Sequence, residues 1–437
     1  MSDLFALKFR KILNDLKRRP EDAAQELGIS NEEINKILNG KTDPDFNLLK
    51  KATEIWPINF NDFFGIEDDT KNNYKIFTKA DSDKTIRIMQ RKNKPYYKYK
   101  DTVMSKISPF RPEWIEELIT VNDSNPENPD VVFNNGHFLH QFTYFIGPVN
   151  FYYINENGEK KLEEMNTGDS MYISPYTPHS FTTRKNQSDK LGLILALTYT
   201  DKVDNEVLNE LSVIGHTLSK KYLIDYNNND DVSGFKKNLQ YYLNLSSLTE
   251  ENFEKINNIN LKKIYNTNSI PSLENLEKIA SVLNINLKDL IPNKKFTSVK
   301  INKYENNSKW KYPSDENYIY KFVELTNVNQ LPCSKALELS VVFEEDHETF
   351  LEVPAHQYLY NIGETNCILE IEKIKQKFSP GDSVYLKPNV KHKFLGKSKI
   401  LILRIGGKIY GENLFHISSL SEKNFERLIN DNKPWFN

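Results

Sequence analysis

Two kinds of segment recur along this chain, and self-similarity at that spacing means two copies of one module rather than one large domain. Residues 44–63 read PDFNLLKKATEIWPINFNDF and residues 271–290 read PSLENLEKIASVLNINLKDL. Pro44 and Pro271, Leu49 and Leu276, Ile58 and Ile285, and Asp62 and Asp289 share one offset, and both segments place apolar residues at helical spacing after a proline. The second pair is GDSMYISPYTPHSF at 168–181 and GDSVYLKPNVKHKF at 381–394, preceded by HQFTYFIG at 140–147 and HQYLYNIG at 356–363. These runs mix aromatic and β-branched residues and are punctuated by Gly and Pro, which predicts antiparallel β-structure. The order is helical unit, β-unit, helical unit, β-unit. Residues 201–245 read as a helical connector, with NNNDD at 227–231 as a turn between helices.

At roughly 150 residues per domain, 437 residues allow about three domains or four small ones. The charge balance, 58 Lys+Arg against 60 Asp+Glu, argues against nucleic acid as the main partner, since phosphate binding draws on a surplus of cations. No run approaches the roughly 20 apolar residues that span a bilayer, so no membrane is expected. The opening MSDLFALKFRKILNDLKRR lacks an apolar core and a cleavage site, and Cys333 and Cys367 form no disulfide framework. Together these point to the cytoplasm.

Residues 5–64 resemble a five-helix helix-turn-helix domain of the phage-repressor type, on Ala24, Leu27, Gly28, Ile29 and Ser30 followed by a recognition helix from Asn31 to Leu38. Ser30 is a natural N-cap, with Glu33 completing a capping box, and Asn39-Gly40 can end the helix. A helix that reads DNA presents Arg, Lys, Asn or Gln at its start. Here the first turn is Asn31-Glu32-Glu33-Ile34, and two carboxylates would face phosphates. The second copy lacks the Leu-Gly turn, reading NNINLKK at 257–263. A scaffold role is expected, and a ligand-gated transcriptional regulator is the competing class.

The first β-unit carries the chemistry. Asn134-Asn135-Gly136-His137-Phe138-Leu139-His140-Gln141 precedes a β run, and His179 follows beyond the Gly168 turn and Pro175. This resembles the cupin pattern, a jelly-roll barrel with metal ligands on one hairpin and a last His on a later strand. In a strand, His137 and Gln141 would point to one face, with His179 entering from the other side. His140, of opposite parity, is expected on the outer face, packed or solvated. Two imidazoles and an oxygen donor suit non-haem Fe(II). A neutral Gln leaves more positive charge on the metal and favours an anionic substrate; alternatively it marks a dead site. In the second β-unit, Val353 stands where the first has His137, and only His392 and Gln357 remain, so that barrel is expected to be metal-free.

With these residues the chain resembles the 2-hydroxyethylphosphonate dioxygenase and hydroxypropylphosphonate epoxidase family of cupin non-haem iron enzymes, over essentially its whole length. The most specific part is Asn134-x-x-His137-x-x-x-Gln141 followed by His179. The resemblance implies an α+β fold, a tandem repeat of an all-α helix-turn-helix-like domain plus a cupin barrel. The expected divisions are 1–66 helical, 67–200 catalytic cupin, 201–246 connector, 247–293 degenerate helical domain and 294–437 metal-free cupin. The dioxygenase branch carries a ligating Glu where this chain has Ile173, and the epoxidase carries Glu at Gln141. Gln with Ile is the pattern of the methylphosphonate-forming branch. The resemblance further implies Fe(II) held by His137, Gln141 and His179, with Ile173 beside them. It implies phosphonate binding by Asn134, Arg91 and Tyr99, with Lys17 reaching a neighbouring subunit's site. The Arg91–Tyr99 run also reads as a solvated basic strand, Gln90 or Lys98 fits a register shifted by one, and Lys17 also reads as a surface charge. One of Lys393, Lys397 and Lys399 is a further candidate to approach the site. The implied reaction is O2-dependent C–C cleavage of 2-hydroxyethylphosphonate to methylphosphonate and CO2 or bicarbonate, or to hydroxymethylphosphonate and formate in the dioxygenase branch. The expected assembly is a homodimer or homotetramer.

Overall fold

A computed structural model describes residues 2–108, 110–185, 190–199, 203–222, 231–265, 269–292 and 297–430. Helices α1 Ser2–Leu16, α2 Pro20–Leu27, α3 Asn31–Leu38 and α4 Phe46–Ile55 open the chain. Caps set their starts: Ser30 Oγ accepts the Glu33 N–H at 3.1 Å and Asp45 Oδ1 accepts the Leu48 N–H at 2.8 Å. The Ser30 contact is one half of the expected capping box. Gly28 ends α2 in the left-handed region at φ +69. Phe9, Leu27, Ile34, Ile37, Leu49 and Trp56 form the bundle core. The expected fifth helix is a single 3₁₀ turn, Phe60–Phe63.

The next elements are β1 Tyr74–Phe77, α5 Lys79–Asp83, β2 Arg87–Arg91, β3 Lys94–Asp101, β4 Arg111–Glu117, β5 Thr120–Val121, β6 His140–Ile146, β7 Val149–Ile154, β8 Lys160–Met165, β9 Ser170–Ile173, β10 His179–Arg184 and β11 Leu193–Tyr199. The later half contributes β12 Val299–Asn302, β13 Lys309–Pro313, β14 Tyr318–Glu324, β15 Ser334–Val341, β16 His356–Asn361, β17 Cys367–Ile371, β18 Ile374–Phe378, β19 Ser383–Leu386, β20 His392–Leu395 and β21 Ser398–Ile405. Each barrel pairs a seven-stranded sheet with a smaller one. The first is β12-β9-β6-β11-β4-β3-β2 with β5-β10-β7-β8, and the second is β1-β19-β16-β21-β15-β14-β13 with β18-β17-β20.

The two barrels exchange edge strands. β1, in the earlier half, pairs with β19 (Tyr74↔Leu386), and β12, in the later half, pairs with β9 (Val299↔Ile173). The expected divisions 67–200 and 294–437 therefore do not enclose closed sheets. Four-residue strands can cross over because backbone hydrogen bonds, not side-chain pattern, hold them at an edge. A shared core of Phe142, Tyr144, Tyr172, Tyr358, Tyr360 and Leu401 fills the seam. Residues 141–145 of β6 are all buried, because one face lines its own barrel and the other lines this seam. Glu338, buried in the seam, accepts from the hydroxyls of Tyr144 and Tyr304, each at 2.7 Å, and pairs with Lys399 at 3.0 Å.

Residues 202–298 form a separate compact unit. It comprises α6 Asn205–Ile214, α7 His216–Ser219, α8 Asp231–Leu245, α9 Glu250–Asn257, α10 Leu261–Tyr265 and α11 Leu273–Leu283. Phe235, Leu239 and Leu243 of α8 pack with Phe253, Leu276 and Ile279, so α8 belongs to the second bundle and the expected boundary at 246/247 is displaced. Asn258 takes the left-handed position at φ +50 that Gly28 holds in the first bundle. Of the turn expected at 227–231, residues 227–230 lie outside the described residues. Among the described residues no helix is long and apolar enough to cross a membrane.

Candidate metal centre

The ligand loop is held by backbone contacts before any metal is considered. His137 lies outside the strand expected to carry it: the stretch 131–137 is irregular and β6 begins at His140. Gly136 has φ +73, and a Cβ there would sit 2.4 Å from the Tyr176 backbone, so only glycine fits. The Tyr176 N–H donates to the His137 carbonyl at 2.7 Å. Asn134 ties the loop to β10, because its N–H donates to the His179 carbonyl at 3.0 Å and its Oδ1 accepts the His179 N–H at 2.9 Å. Its Nδ2 stands 3.0 Å from His179 Nε2.

Three donor atoms converge there. His137 Nδ1 lies 2.8 Å from the Leu139 carbonyl and His179 Nδ1 lies 2.8 Å from the Thr177 carbonyl. A carbonyl can only accept, so each neutral ring carries its proton on Nδ1 and turns an Nε2 lone pair inward. Gln141 Nε2 donates to Thr143 Oγ1 at 2.8 Å, which aims Oε1 at His137 Nε2, 2.9 Å away. Two acceptors so close repel unless a cation lies between them. Metal bonds of roughly 2.0–2.2 Å at right angles place two ligand atoms about 3 Å apart, which is the spacing found. The His137 and His179 rings stand 5.3 Å apart at 84°. Burial holds the His179 imidazole down to about 3, with His137 and Arg91 adding to the effect, so the ring stays neutral. Among the described residues no three His, Cys, Asp or Glu form a metal cluster; an amide completes this one. Ile173, fully buried, is the cross-strand partner of Gln141 and offers only hydrocarbon there.

A cationic and phenolic wall adjoins the ligands. The Arg91 guanidinium donates to the Val132 carbonyl and lies 3.4 Å from Ser180 Oγ, next to His179 in the chain. It stacks over the Tyr97 and Tyr96 rings at 4.7 and 5.0 Å. Tyr99 stands edge-on to Tyr97, and burial pushes its phenol up to about 12. Gln90 is exposed and Lys98 is paired with Glu116, so Arg91 is the residue that meets the Ser180 hydroxyl. Ser180, Tyr96, Tyr97 and Thr143 complete the wall. The alternation of Tyr97 and Tyr99 along β3 was the signal for one of them; the others depend on register. Lys17 sits immediately after α1 at φ +56, in the helical bundle, and the set from Arg91 to His179 assembles without it. Lys393, Lys397 and Lys399 pair with Asp346, Glu344 and Glu338 of the later half.

His140 packs as expected, with Nδ1 2.7 Å from the Tyr172 hydroxyl, and His356 repeats that contact with Tyr385 at 2.7 Å. The second barrel then diverges. Gln357 Oε1 accepts from Arg404 Nε at 3.2 Å, and Arg404 stands at the strand position that Thr198 holds opposite Gln141. A guanidinium therefore meets the amide oxygen in the second barrel, whereas His137 Nε2 faces it in the first. His392 is fully buried, with Nδ1 3.0 Å from the Val390 carbonyl.

Comparison with known proteins follows the same lines. The helix-turn-helix family matches residues 8–56. A solved structure of Streptomyces albus HEPD with 2-hydroxyethylphosphonate and Fe(II) bound superposes with a TM-score of 0.92 at 28% identity, covering 100% of this chain and 99% of that one. A PhpD structure with cadmium shares the fold at a TM-score of 0.75 and 16% identity, over 98% of this chain and 99% of that one. The methylphosphonate synthase of Nitrosopumilus maritimus is 47% identical over 436 residues, covering 98% of this chain and 94% of the relative. Identity of that order along the whole length, over a matching ligand loop and barrel pair, means that the chain belongs to the methylphosphonate synthase family.

Proposed function

We propose that this chain is an Fe(II)-dependent oxygenase that cleaves the C1–C2 bond of 2-hydroxyethylphosphonate and releases methylphosphonate. The observation that carries the reading is the neutral ligand set, His137, His179 and Gln141, with Ile173 closing the carboxylate position. The overall change is balanced: 2-hydroxyethylphosphonate and O2 give methylphosphonate, CO2 and water, and the substrate supplies all four electrons. Fe(II), held by these three residues, supplies the one-electron chemistry with O2.

The protein's own part is positioning and charge. Three neutral ligands leave the full dipositive charge to attract a phosphonate dianion. Arg91 and Tyr99 offer a guanidinium and a hydroxyl to its oxygens, and the Asn134 amide, tied to His179, presents a further donor. The apolar Ile173 and the edge-to-face pair Tyr96 and Tyr97 keep bulk water from the reacting carbons. Lys17 would serve the site of a neighbouring subunit in a homodimer or homotetramer. The second barrel, with Val353 and Arg404 in place of a ligand and a metal, is a support. The test is phosphorus NMR of the anaerobically Fe(II)-loaded protein given substrate and O2. Methylphosphonate is the expected product; hydroxymethylphosphonate as the main product moves the assignment to the HEPD reaction, and no turnover ends it.

A further inference from the structure

The second barrel buries polar atoms that have no partner. Gln357 and His392 are both 0% exposed, and neither Gln357 Nε2 nor His392 Nε2 has a hydrogen-bond partner among the described residues. In the first barrel the matching atoms have neighbours: Gln141 Nε2 donates to Thr143 Oγ1 at 2.8 Å, and His179 Nε2 stands 3.0 Å from Asn134 Nδ2. Leu359 follows Gln357 by two residues, where Thr143 follows Gln141. Leu351 donates its N–H to the His392 carbonyl at 2.8 Å, as Asn134 does to the His179 carbonyl at 3.0 Å. Leucines therefore occupy both partner positions around a buried amide and a buried imidazole. Leaving such groups unpaired costs free energy that a ligand can recover.

Arg404 adds a charge to this set. Its Nε donates to Gln357 Oε1 at 3.2 Å, which fixes the amide and leaves Nε2 as the free donor. The guanidinium is half-buried and makes no ion pair among the described residues; burial holds it down to about 10, and no carboxylate bears on it. A cation withdrawn from water and bonded only to a neutral amide lacks its countercharge. His392 Nδ1 lies 3.0 Å from the Val390 carbonyl, so the neutral ring carries its proton there and keeps a lone pair at Nε2.

The duplication brings these groups to one place. Gln141 and His179 both stand against His137, whose Nε2 is 2.9 Å from Gln141 Oε1 and whose ring is 5.3 Å from that of His179. Val353 holds the backbone place of His137: the Asn389 N–H donates to its carbonyl at 2.8 Å, as the Tyr176 N–H does to the His137 carbonyl at 2.7 Å. A valine fills less of the space between the two positions than an imidazole does.

We infer that the second barrel binds a small oxyanion that retains a hydroxyl. Arg404 and Gln357 Nε2 donate to its oxygens, and His392 Nε2 accepts from its hydroxyl. Bicarbonate and the monoanion of a small phosphonate share this chemistry, whereas chloride has no hydroxyl to offer His392. The inference rests on the second barrel alone and does not depend on the reaction at the metal centre.

The experiment is calorimetric titration of the anaerobic Fe(II)-loaded protein with bicarbonate, methylphosphonate and chloride in turn, at neutral pH. Q357E gives Arg404 an internal carboxylate of the same shape, and R404M removes the guanidinium. Each should weaken oxyanion binding at this site by at least about tenfold, whereas H137A, which disables the metal centre, should leave it within about twofold. Should R404M fail to fold, Q357E carries the test, and the tighter of the two oxyanions identifies the source. Binding of neither oxyanion by the wild type means that water alone fills the site and overturns the inference. Oxyanion binding that survives both substitutions, or that disappears with H137A, overturns it as well. Chloride binding as tight as that of bicarbonate overturns the hydroxyl-bearing class.

Discussion

At the residue scale, the centre is built from hydrogen bonds that turn its donor atoms to one side. The Leu139 and Thr177 carbonyls accept from Nδ1 of His137 and His179, and the Thr143 hydroxyl accepts one amide hydrogen of Gln141. His137→Ala should therefore abolish stoichiometric iron retention, read by metal analysis after desalting; a variant that keeps iron and activity refutes the ligand assignment. Gln141→Glu should do the opposite of a simple loss. Added negative charge tightens iron and weakens phosphonate binding, each by about tenfold, and paired metal and substrate titrations distinguish this from general damage. Gly136→Ala strains the left-handed loop against Tyr176 and should lower stability by about 2 kcal/mol, measured by urea denaturation. Asn134, His137, Gln141 and His179 were legible because they lie in short motifs framed by Gly and Pro. Thr143 and Ser180 were not, since an interior position on a strand is defined by its register with strands far away in the chain.

At the element scale, helix ends were legible and strand destinations were not. Ser30 and Gly28 act where their side chain or φ angle requires, while the Asp45 cap of α4 carried no signal that the sequence reading used. Ser30→Ala should cost about 1 kcal/mol of bundle stability while leaving phosphonate turnover unchanged, a pairing that a catalytic role for α3 would not give. α8 falls in the segment expected as a helical connector, whereas its apolar face closes the second bundle. The β20 histidine adds a pH term. Burial holds His392 down to about 4, below its ordinary 6.5, so its contribution to stability is complete above about pH 6.5 and is lost as the pH falls toward 4. That loss amounts to about 3 kcal/mol, and His392→Leu should flatten the urea midpoint between those values.

At the scale of the whole molecule, the repeat fixed the number of modules but concealed how they join. Sequence divides the chain at 66/67 and 293/294, while hydrogen bonding sends β1 forward to β19 and β12 back to β9. Such strands are too short to carry any pattern that names their partner. A chain cut within 223–230 leaves one fragment without β12 and the other without β1. Expressed singly, each fragment should aggregate through its bare sheet edge; expressed together, they should co-purify as a stoichiometric pair. Reciprocal strand exchange also bears on ancestry. Two identical half-length chains trading arms make a closed twofold dimer, and joining them end to end preserves the trade. Once joined, the halves are free to drift apart, so one can lose its histidine loop and place an arginine beside its glutamine while remaining indispensable as the owner of its sibling's missing strand.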